Sequence, residues 1–256
     1  MAFDLTSANF TVRSDKPDER DFYYKSSVKS FRENVDLREW ASIVEDQGHI
    51  GSCLGNAITN AYELLLKKDY PDQFAELSRL FVYYNARELE GSTAEDEGAS
   101  VRDGIKAVSK KGICTEQLWP YDIEKFDDKP TEECYIDAKQ RLIKNYQKIT
   151  LVYDMVDALN HNNPIVLGME IFNGFMTLSK EDSTVYMPMY QLASVGGHAV
   201  CLVGYDLPAN LFLAKNSFGT DWGDNGYCWI PFAYVARWGH SSWIFDLDLH
   251  PSVLQS

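Results

Sequence analysis

The pattern of apolar residues changes near residue 146, and this change limits the folds open to the chain. Before it, apolar residues recur at helical spacing, as in the stretch from Cys53 to about Lys68. After it, short β-rich runs such as IVLGMEI and HAVCLVGYD are separated by glycine, proline and asparagine. Helices followed by strands indicate an α+β fold. We expect a helical lobe at 35–145 and a β-rich lobe at 146–256, preceded by an N-terminal arm at 1–34.

Four helices are predicted in the helical lobe. Ser100 is placed to cap the third helix, with Asp103 three residues later, and Gly112 is placed just after its end. The fourth is predicted from TEECYIDAKQRLIKN. The acidic stretch STAEDE at 92–97 is expected to form a solvated loop. The predicted helices span about 53–68, 78–90, 100–111 and 131–145.

The net charge of the 256-residue chain, −14, excludes several classes of partner. Nucleic acids and anionic membranes attract a basic protein face, so we expect neither as a partner. No apolar run approaches the roughly 18–20 residues that span a bilayer. The first residues lack a basic segment followed by an apolar one, so we expect no secretory signal and a cytoplasmic location.

The cysteines and histidines are too dispersed to predict a disulfide framework or a metal site. An odd number of cysteines at wide spacing is not typical of a secreted disulfide scaffold. The sequence contains no C-x-x-C or H-E-x-x-H motif, and its five histidines lie far apart. We therefore expect no metal and no organic cofactor. The five cysteines are at positions 53, 114, 134, 201 and 228.

Cys53 stands at the start of the first predicted helix, directly after Gly51 and Ser52. Unpaired backbone N–H groups at a helix N-terminus stabilise negative charge and lower the pKa of a thiol, and the thiolate is the nucleophile. Free cysteines are also common as inert, buried apolar residues. The local sequence leaves both interpretations open.

His198 and Asn216 lie on neighbouring predicted strands. His198 heads a β-rich run after two glycines, and Asn216 ends a second run and enters a glycine-rich loop. Adjacent antiparallel strands would bring the two side chains within hydrogen-bonding distance. A cysteine, a histidine that exchanges its proton and an amide that orients the imidazole form a nucleophilic site. The alternative for His198 is a core histidine satisfied by a backbone carbonyl.

Three segments, DQGHIGSCLGNA, GGHAVCLVGYD and KNSFGTDWGDNGY, together resemble the papain-like cysteine peptidases. The resemblance runs from about VDLR at 35–38 to at least GYCWIP at 226–231. The separation of His198 from Cys53 falls within the roughly 130–150 residues of the family signature, and that of Asn216 slightly exceeds it. The resemblance implies a two-lobed fold, a helical lobe and an antiparallel β-sheet or barrel lobe, with the active-site cleft between them.

The resemblance also assigns catalytic roles. Cys53 would attack the scissile carbonyl as a thiolate, and His198 would protonate the leaving amine and then activate the deacylating water. Asn216 would orient the imidazole. Gln47 resembles the side-chain donor of the oxyanion hole, with the Cys53 backbone N–H as the other donor. The alternative for Gln47 is a residue that caps a turn.

Substrate contacts are implied by the resemblance as well. Ser100 and Val101 would receive the second substrate residue on the acyl side, and the two glycines before His198 would lie opposite. Phe218 and Trp222 would keep water from the His–Asn pair, although plain core packing is compatible with that role. The residues assigned to substrate binding are Ser100, Val101, Gly196, Gly197 and Trp222.

The sequence departs from the family at several positions. Ile50 stands where most members carry a disulfide-forming cysteine, which is consistent with a reducing compartment such as the cytoplasm, or a virion or host cytoplasm if the chain is viral. Leu54 stands where the family usually has an aromatic residue after the nucleophile, and Phe218 stands where it usually has a tryptophan after the Asn-Ser pair. The segment 1–34 resembles the short arm of bacterial, archaeal and viral relatives. We expect it to pack along the sheet lobe, and covering part of the cleft is a second possibility.

These observations predict a thiol-dependent endopeptidase that acts on polypeptides, a hydrolase working through an acyl-enzyme. Three alternatives remain. One is an acyltransferase of transglutaminase type on the same fold, and another is a catalytically silent binding or structural component of a larger assembly. The third is an oligomeric aminopeptidase like bleomycin hydrolase. The sequence leaves the oligomeric state open.

Overall fold

The three longest helices lie in the first half of the chain, and the described strands other than β1 lie in the second. The structure is a computed structural model and describes residues 9–28, 30–189 and 192–251. The helices are α1 Cys53–Asp69, α2 Arg79–Glu90, α3 Val101–Lys111, α4 Glu132–Ala138, α5 Val152–Asn160, α6 Asn173–Met176 and α7 Phe232–Trp238. The strands are β1 Asn34–Asp36, β2 Arg141–Lys148, β3 Ile165–Ile171, β4 Gly196–Asp206, β5 Leu211–Lys215, β6 Tyr227–Pro231 and β7 Gly239–Leu249.

All seven strands pair antiparallel in one sheet of order β2-β7-β3-β4-β5-β6, with β1 beside β4. The long strand β4 pairs with β3 near its start and with β1 near its end, and β5 covers its other edge. Among the described residues no pairing joins β2 to β6, so the sheet is open rather than a barrel. The α+β architecture predicted from the sequence is confirmed.

Helix α1 is the buried centre of the helical part, and it packs against β4 and β3. Every residue from Cys53 to Leu66 is buried, including polar side chains. Gly55 allows α2 to approach closely, because a Cβ there would lie 2.4 Å from the carbonyl oxygen of Arg79. The position of α1 on β4 is what brings the first residue of the helix to the sheet.

A buried lysine joins α1 to the end of β5. Lys215 is only 1% exposed, and its Nζ donates hydrogen bonds to Asn60 Oδ1 of α1 and to the carbonyl oxygen of Ile43, each at 2.7 Å. Burial lowers the pKa of Lys215 to about 8. These contacts connect the helix, the segment before it and the strand that precedes Asn216.

The predicted helices at 53–68, 78–90 and 100–111 are confirmed, but the helix predicted at 131–145 is correct only in its first half. Helix α4 ends at Ala138, and β2 begins at Arg141 and pairs with β7. The partner strand lies about 100 residues later in the sequence, so pairing with it overrides the local helical preference. The division between lobes at residue 146 stays a prediction.

The capping residues of α3 are confirmed. The Ser100 side chain accepts a hydrogen bond from the Asp103 backbone N–H, and Gly112 follows the helix with φ +81°. A Cβ on Gly112 would lie 1.7 Å from the carbonyl oxygen of Ala138. Gly91 follows α2 with φ +75°, but its surroundings are open.

Alanine substitutions at Gly91 and Gly112 distinguish the cost of a positive φ from the cost of a steric clash. Gly91→Ala should lower the free energy of unfolding by about 1 kcal/mol, because alanine tolerates a positive φ less well than glycine. Gly112→Ala should cost about 3 kcal/mol or more, because the added methyl group also collides with backbone. Urea denaturation of both variants measures the difference, and equal losses would contradict the clash.

Candidate active site

Cys53 is the first residue of α1 and is fully buried. Its sulfur accepts hydrogen bonds from the backbone at Leu54 and at Ala199 of β4. Burial nevertheless raises the pKa of Cys53 to about 12. This direction is opposite to the one predicted from the helix N-terminus, because the cost of removing a thiolate from water exceeds the stabilisation by the surrounding N–H groups.

His198 lies on β4, and Asn216 follows β5 directly. The antiparallel register brings the two together, and His198 Nε2 lies 2.7 Å from Asn216 Oδ1. A proton on Nε2 makes Nδ1 the acceptor of the neutral ring, and Nδ1 is buried without a hydrogen-bond partner among the described residues. Burial lowers the pKa of His198 to about 4, against the opposing effect of the Asn216 hydrogen bond. The next residue, Ala199, contacts the Cys53 thiol.

Aromatic rings enclose the His198 imidazole. Their centroids lie 4.9 Å (Phe218), 5.6 Å (Phe175) and 5.7 Å (Phe10) from that of the imidazole. Trp222 lies behind them, with its indole N–H donating to the carbonyl oxygen of Phe175 at 3.1 Å. Sequence reasoning missed Phe10 and Phe175, because neither is part of a motif and both reach the site through the fold.

Gln47 is fully buried beside the same loop. Its Oε1 accepts a hydrogen bond from Ser217 Oγ at 2.6 Å, and its Nε2 donates to the carbonyl oxygen of Ile50 at 3.0 Å. The Tyr121 hydroxyl donates to the Gln47 backbone oxygen at 2.8 Å. Gln47 is therefore fixed to the residue that follows Asn216, and the amide has a second N–H available for another acceptor.

The cleft segment, residues 9–13 of the N-terminal arm, runs along the groove beside His198. The Asn9 backbone N–H donates to the carbonyl oxygen of His49 at 3.1 Å, and that of Val12 donates to the carbonyl oxygen of Gly197 at 3.0 Å. Arg13 forms a bridge with Ser100 on the opposite side. The first described residues of the arm therefore cover part of the groove, in addition to the packing along the sheet expected for the arm.

The walls of the groove are lined by glycines where the cleft segment passes. A Cβ on Gly197 would lie 1.8 Å from the Val12 oxygen, and one on Gly98 would lie 2.4 Å from the Thr11 oxygen. Gly196 is equally close to the arm. Of the residues predicted to bind substrate, Gly196, Gly197 and Ser100 therefore contact a peptide chain in this structure. Val101 is fully buried, and Trp222 is 4% exposed.

The acidic stretch at 92–97 is not simply a solvated loop, which corrects the expectation for it. Asp96 accepts hydrogen bonds from the Gly51 backbone N–H at 2.9 Å and from Asn9 Nδ2 at 2.9 Å. The Tyr83 hydroxyl also donates to it. These donors offset the cost of partly burying the carboxylate, so Asp96 faces the groove beside Cys53.

The rest of the arm is attached to the sheet by buried charges. Asp15 accepts hydrogen bonds from the Arg102 backbone N–H at 3.0 Å and from Trp243 Nε1 at 2.7 Å, and Lys148 Nζ lies 3.4 Å away. Asp21 pairs with the Arg102 guanidinium. Because Lys148 and Trp243 belong to β2 and β7, the arm is fixed to the sheet while its first described residues reach the cleft.

Among the described residues, no group of three or more histidine, cysteine, aspartate or glutamate side chains is arranged to hold a metal ion. None of the described helices combines the length and apolar character needed to cross a membrane.

Weakening the cleft segment should expose Cys53. The double variant Asn9→Ala/Phe10→Ala removes the Asp96 contact and the ring beside His198, so alkylation of Cys53 by iodoacetamide at pH 7 should become about tenfold faster, as the protected state opens more often. Peptide mapping by mass spectrometry measures the rate at Cys53. Phe22→Ala, at an exposed arm residue away from the groove, serves as the control. Equal rates in all three proteins would contradict the covering role.

The pH dependence of the same reaction should differ between the proteins. With its pKa raised to about 12, the covered thiol is neutral at pH 6–9, and the thiolate fraction rises about tenfold per pH unit. Alkylation of the unaltered chain should therefore keep accelerating to pH 9. In the double variant water reaches the thiol and reduces the desolvation cost, which lowers the pKa of Cys53. The alkylation rate should therefore level off at a lower pH than in the unaltered chain. A plateau near neutral pH in the unaltered chain would contradict this expectation.

Comparison with known proteins places the chain in a family. Residues 31–236 match the family described as papain family cysteine protease. An uncharacterized peptidase C1-like protein of Acanthamoeba polyphaga mimivirus is 38% identical over 90% of this chain and 83% of its own length. Cysteine proteinase 3 of Entamoeba histolytica is 25% identical over 79% of this chain, which spans 64% of that protein.

A solved structure agrees with these sequence matches. The crystal structure of xylellain, a cysteine protease from Xylella fastidiosa, is 30% identical and superposes with a TM-score of 0.84, covering 94% of this chain and 96% of that one. Both the fold and the family expected from the three sequence segments are therefore confirmed. The chain belongs to the papain family of cysteine proteases.

Proposed function

We propose that the chain hydrolyses internal peptide bonds with Cys53 as nucleophile, His198 as acid and base, and Asn216 as the group that orients His198. The observation that carries this proposal is the arrangement of the imidazole. Its Nε2 is bound to Asn216, its Nδ1 has no partner among the described residues, and the next residue contacts the Cys53 sulfur. A ring nitrogen with no partner, on the residue directly before one that contacts a buried thiol, suits proton exchange.

The reaction would proceed in two steps. The thiol proton moves to His198 Nδ1, and the thiolate attacks the carbonyl carbon of the scissile bond. His198 gives the proton to the leaving amine as the C–N bond breaks, which leaves a thioester on Cys53. Water then attacks the thioester and passes a proton to His198. The carboxyl product leaves as the Cys53–acyl bond breaks, and His198 returns the proton to the Cys53 sulfur. No metal or organic cofactor is needed.

Gln47 would stabilise the tetrahedral intermediates. Its amide is fixed by Ser217 and Ile50, and its second N–H, together with the Cys53 backbone N–H, would donate to the oxyanion. Groups fixed before the reaction need no reorganisation as charge develops, and one such donor lowers the barrier by roughly 3–4 kcal/mol.

The path of the arm supports an endopeptidase. Residues 9–13 cross the groove, and the chain continues beyond Arg13 into the sheet-bound part of the arm. A groove that lets a peptide continue past this end fits cleavage inside a polypeptide. The arm must leave the groove before a substrate binds there.

A reducing compartment, with the cytoplasm as the predicted one, is part of this proposal. The five cysteines are free thiols in the structure, and a reductant is needed to keep Cys53 from oxidation. A mimivirus relative is consistent with a virion or host-cell setting.

An epoxide inhibitor of thiol proteases tests the proposal, with a fluorogenic peptide library in parallel. The Asn9→Ala/Phe10→Ala protein should gain one label by intact mass and cleave peptides, because its thiol is accessible and activated. Adding Cys53→Ala should abolish both, whereas adding Cys228→Ala, at a buried cysteine on β6, should abolish neither.

Other outcomes would change the assignment. Labelling at Cys53 without peptide cleavage would indicate an acyl acceptor other than water, as in an acyltransferase. Absence of labelling in a folded protein would favour a catalytically silent binding component.

A further inference from the structure

We propose that the part of the groove occupied by Arg13 selects a basic side chain of the substrate, and that Glu90 and Glu97 determine this preference. The inference deepens the proposed peptidase function and rests on it. Its starting point is an ion pair that the arm makes with the groove. The Arg13 guanidinium donates to the Glu90 carboxylate and, at 3.3 Å, to the carbonyl oxygen of Gly98. Glu97 Oε2 lies 3.9 Å from Nη1.

The Glu90 carboxylate is positioned by the body of the protein. Glu90 is the last residue of α2, and its Oε1 accepts a hydrogen bond from the Ser100 backbone N–H at 2.9 Å. Ser100 in turn caps α3. One carboxylate oxygen is thus bound to the end of a helix, and the other receives Arg13. Removing the arm would leave this arrangement in place.

Arg13 is the cation that balances these carboxylates. Among the described residues no other basic side chain forms an ion pair with Glu90 or Glu97. The Glu90 side chain is only 17% exposed beneath Arg13, so displacement of the arm removes its partner in a partly buried position. A substrate that supplies a cation at the same place would restore the pair, and charge-assisted hydrogen bonds to a fixed carboxylate are stronger than neutral ones.

The position of this preference relative to the scissile bond follows from the spacing of the cleft segment. Phe10 contacts His198, and Arg13 lies three residues further on. An extended chain advances about 3.3 Å per residue, so the acidic position lies roughly 10 Å from the catalytic ring. Ser100, beside Glu90, is predicted to face the acyl side of the substrate. A substrate whose acyl side lies at Ser100 would run opposite to the arm, and the basic residue is therefore expected two or three residues before the scissile bond.

The contacts of Arg13 also distinguish this position from a simple attachment point for the arm. The arm is already fixed to the sheet through Asp15 and Asp21, which contact Arg102 and Trp243 outside the groove. The Arg13 side chain is 46% exposed, and it reaches the carboxylates from a backbone that runs between the glycine walls. A peptide on the same path would place a side chain against the same two glutamates.

The test compares quenched fluorescent peptides that differ at one residue, two or three positions before the cleaved bond. One carries arginine, and the other carries citrulline, which has nearly the same shape but no charge. The full-length chain should cleave the arginine peptide with a kcat/KM about five- to tenfold higher, the size expected for a partly exposed charged pair. The preference should fall in high salt.

Variants of the full-length chain assign the preference to the two glutamates. Glu90→Gln/Glu97→Gln should reduce the arginine-to-citrulline ratio to about 1. Glu95→Gln, an exposed residue of the same loop, is the matched control and should leave the ratio unchanged. Arg13→Gln should accelerate cleavage of both peptides, because it removes the arm's cation from the two glutamates. It should keep the arginine-to-citrulline ratio, because the glutamates themselves are unchanged.

Each remaining outcome overturns the inference in a recognisable way. A ratio near 1 in the unaltered chain, or a ratio that the double glutamate variant leaves unchanged while both peptides are cleaved faster, would mean that the glutamates only attach the arm. If neither peptide nor the library is cleaved although Cys53 is alkylated, the proposed peptidase function fails and this inference fails with it.

Discussion

The packing of α1 against β4 is the contact on which the candidate site depends. Cys53 occupies the first position of the helix, and its sulfur meets the backbone of Ala199, the residue after His198. Neither element alone carries all the side chains of the candidate site. The helix supplies the thiol and the strand supplies the imidazole, and β5 adds Asn216 because it pairs with the other edge of β4. A buried lysine, Lys215, connects α1 to β5 directly before that asparagine.

Burial gives the covered site its protonation state. The same exclusion of water raises the pKa of Cys53 and lowers that of His198, so both groups are neutral at physiological pH in the arm-covered form. A thiolate–imidazolium pair needs water or substrate dipoles to compensate for charge separation. In the proposed mechanism the arm would therefore oppose catalysis in two ways, since it covers the groove and would also disfavour the reactive ionic state.

The sequence predicted those parts of the fold and site that depend on local signals. Helices α1 to α3, the Ser100 cap and Gly112 follow from periodicity and capping residues close in the chain. The three family-like segments predicted residues that the fold then brings near one another. Strand β2 was missed, because its pairing with β7 outweighs a helical pattern that seemed to continue from α4.

The features that sequence reasoning missed all involve contacts between distant residues. Phe10 and Phe175 enclose His198 from the arm and from a short helix, and no spacing rule connects either to the histidine. Asp96 was assigned to a solvated loop because an acidic run is usually exposed. Its inward position depends on donors from Gly51 and Asn9, which lie 45 and 87 residues away in the sequence.

In the proposed function the glycine walls let one groove hold either the arm or a substrate. At Gly98 and Gly197 a side chain would collide with the backbone of the cleft segment, so these positions admit any extended peptide close to the groove. Hydrogen bonds to backbone, such as that from Val12 to Gly197, do not discriminate among sequences. Discrimination must therefore come from side chains at the edges of the groove. In this chain those edges carry carboxylates, and the arm meets them with an arginine.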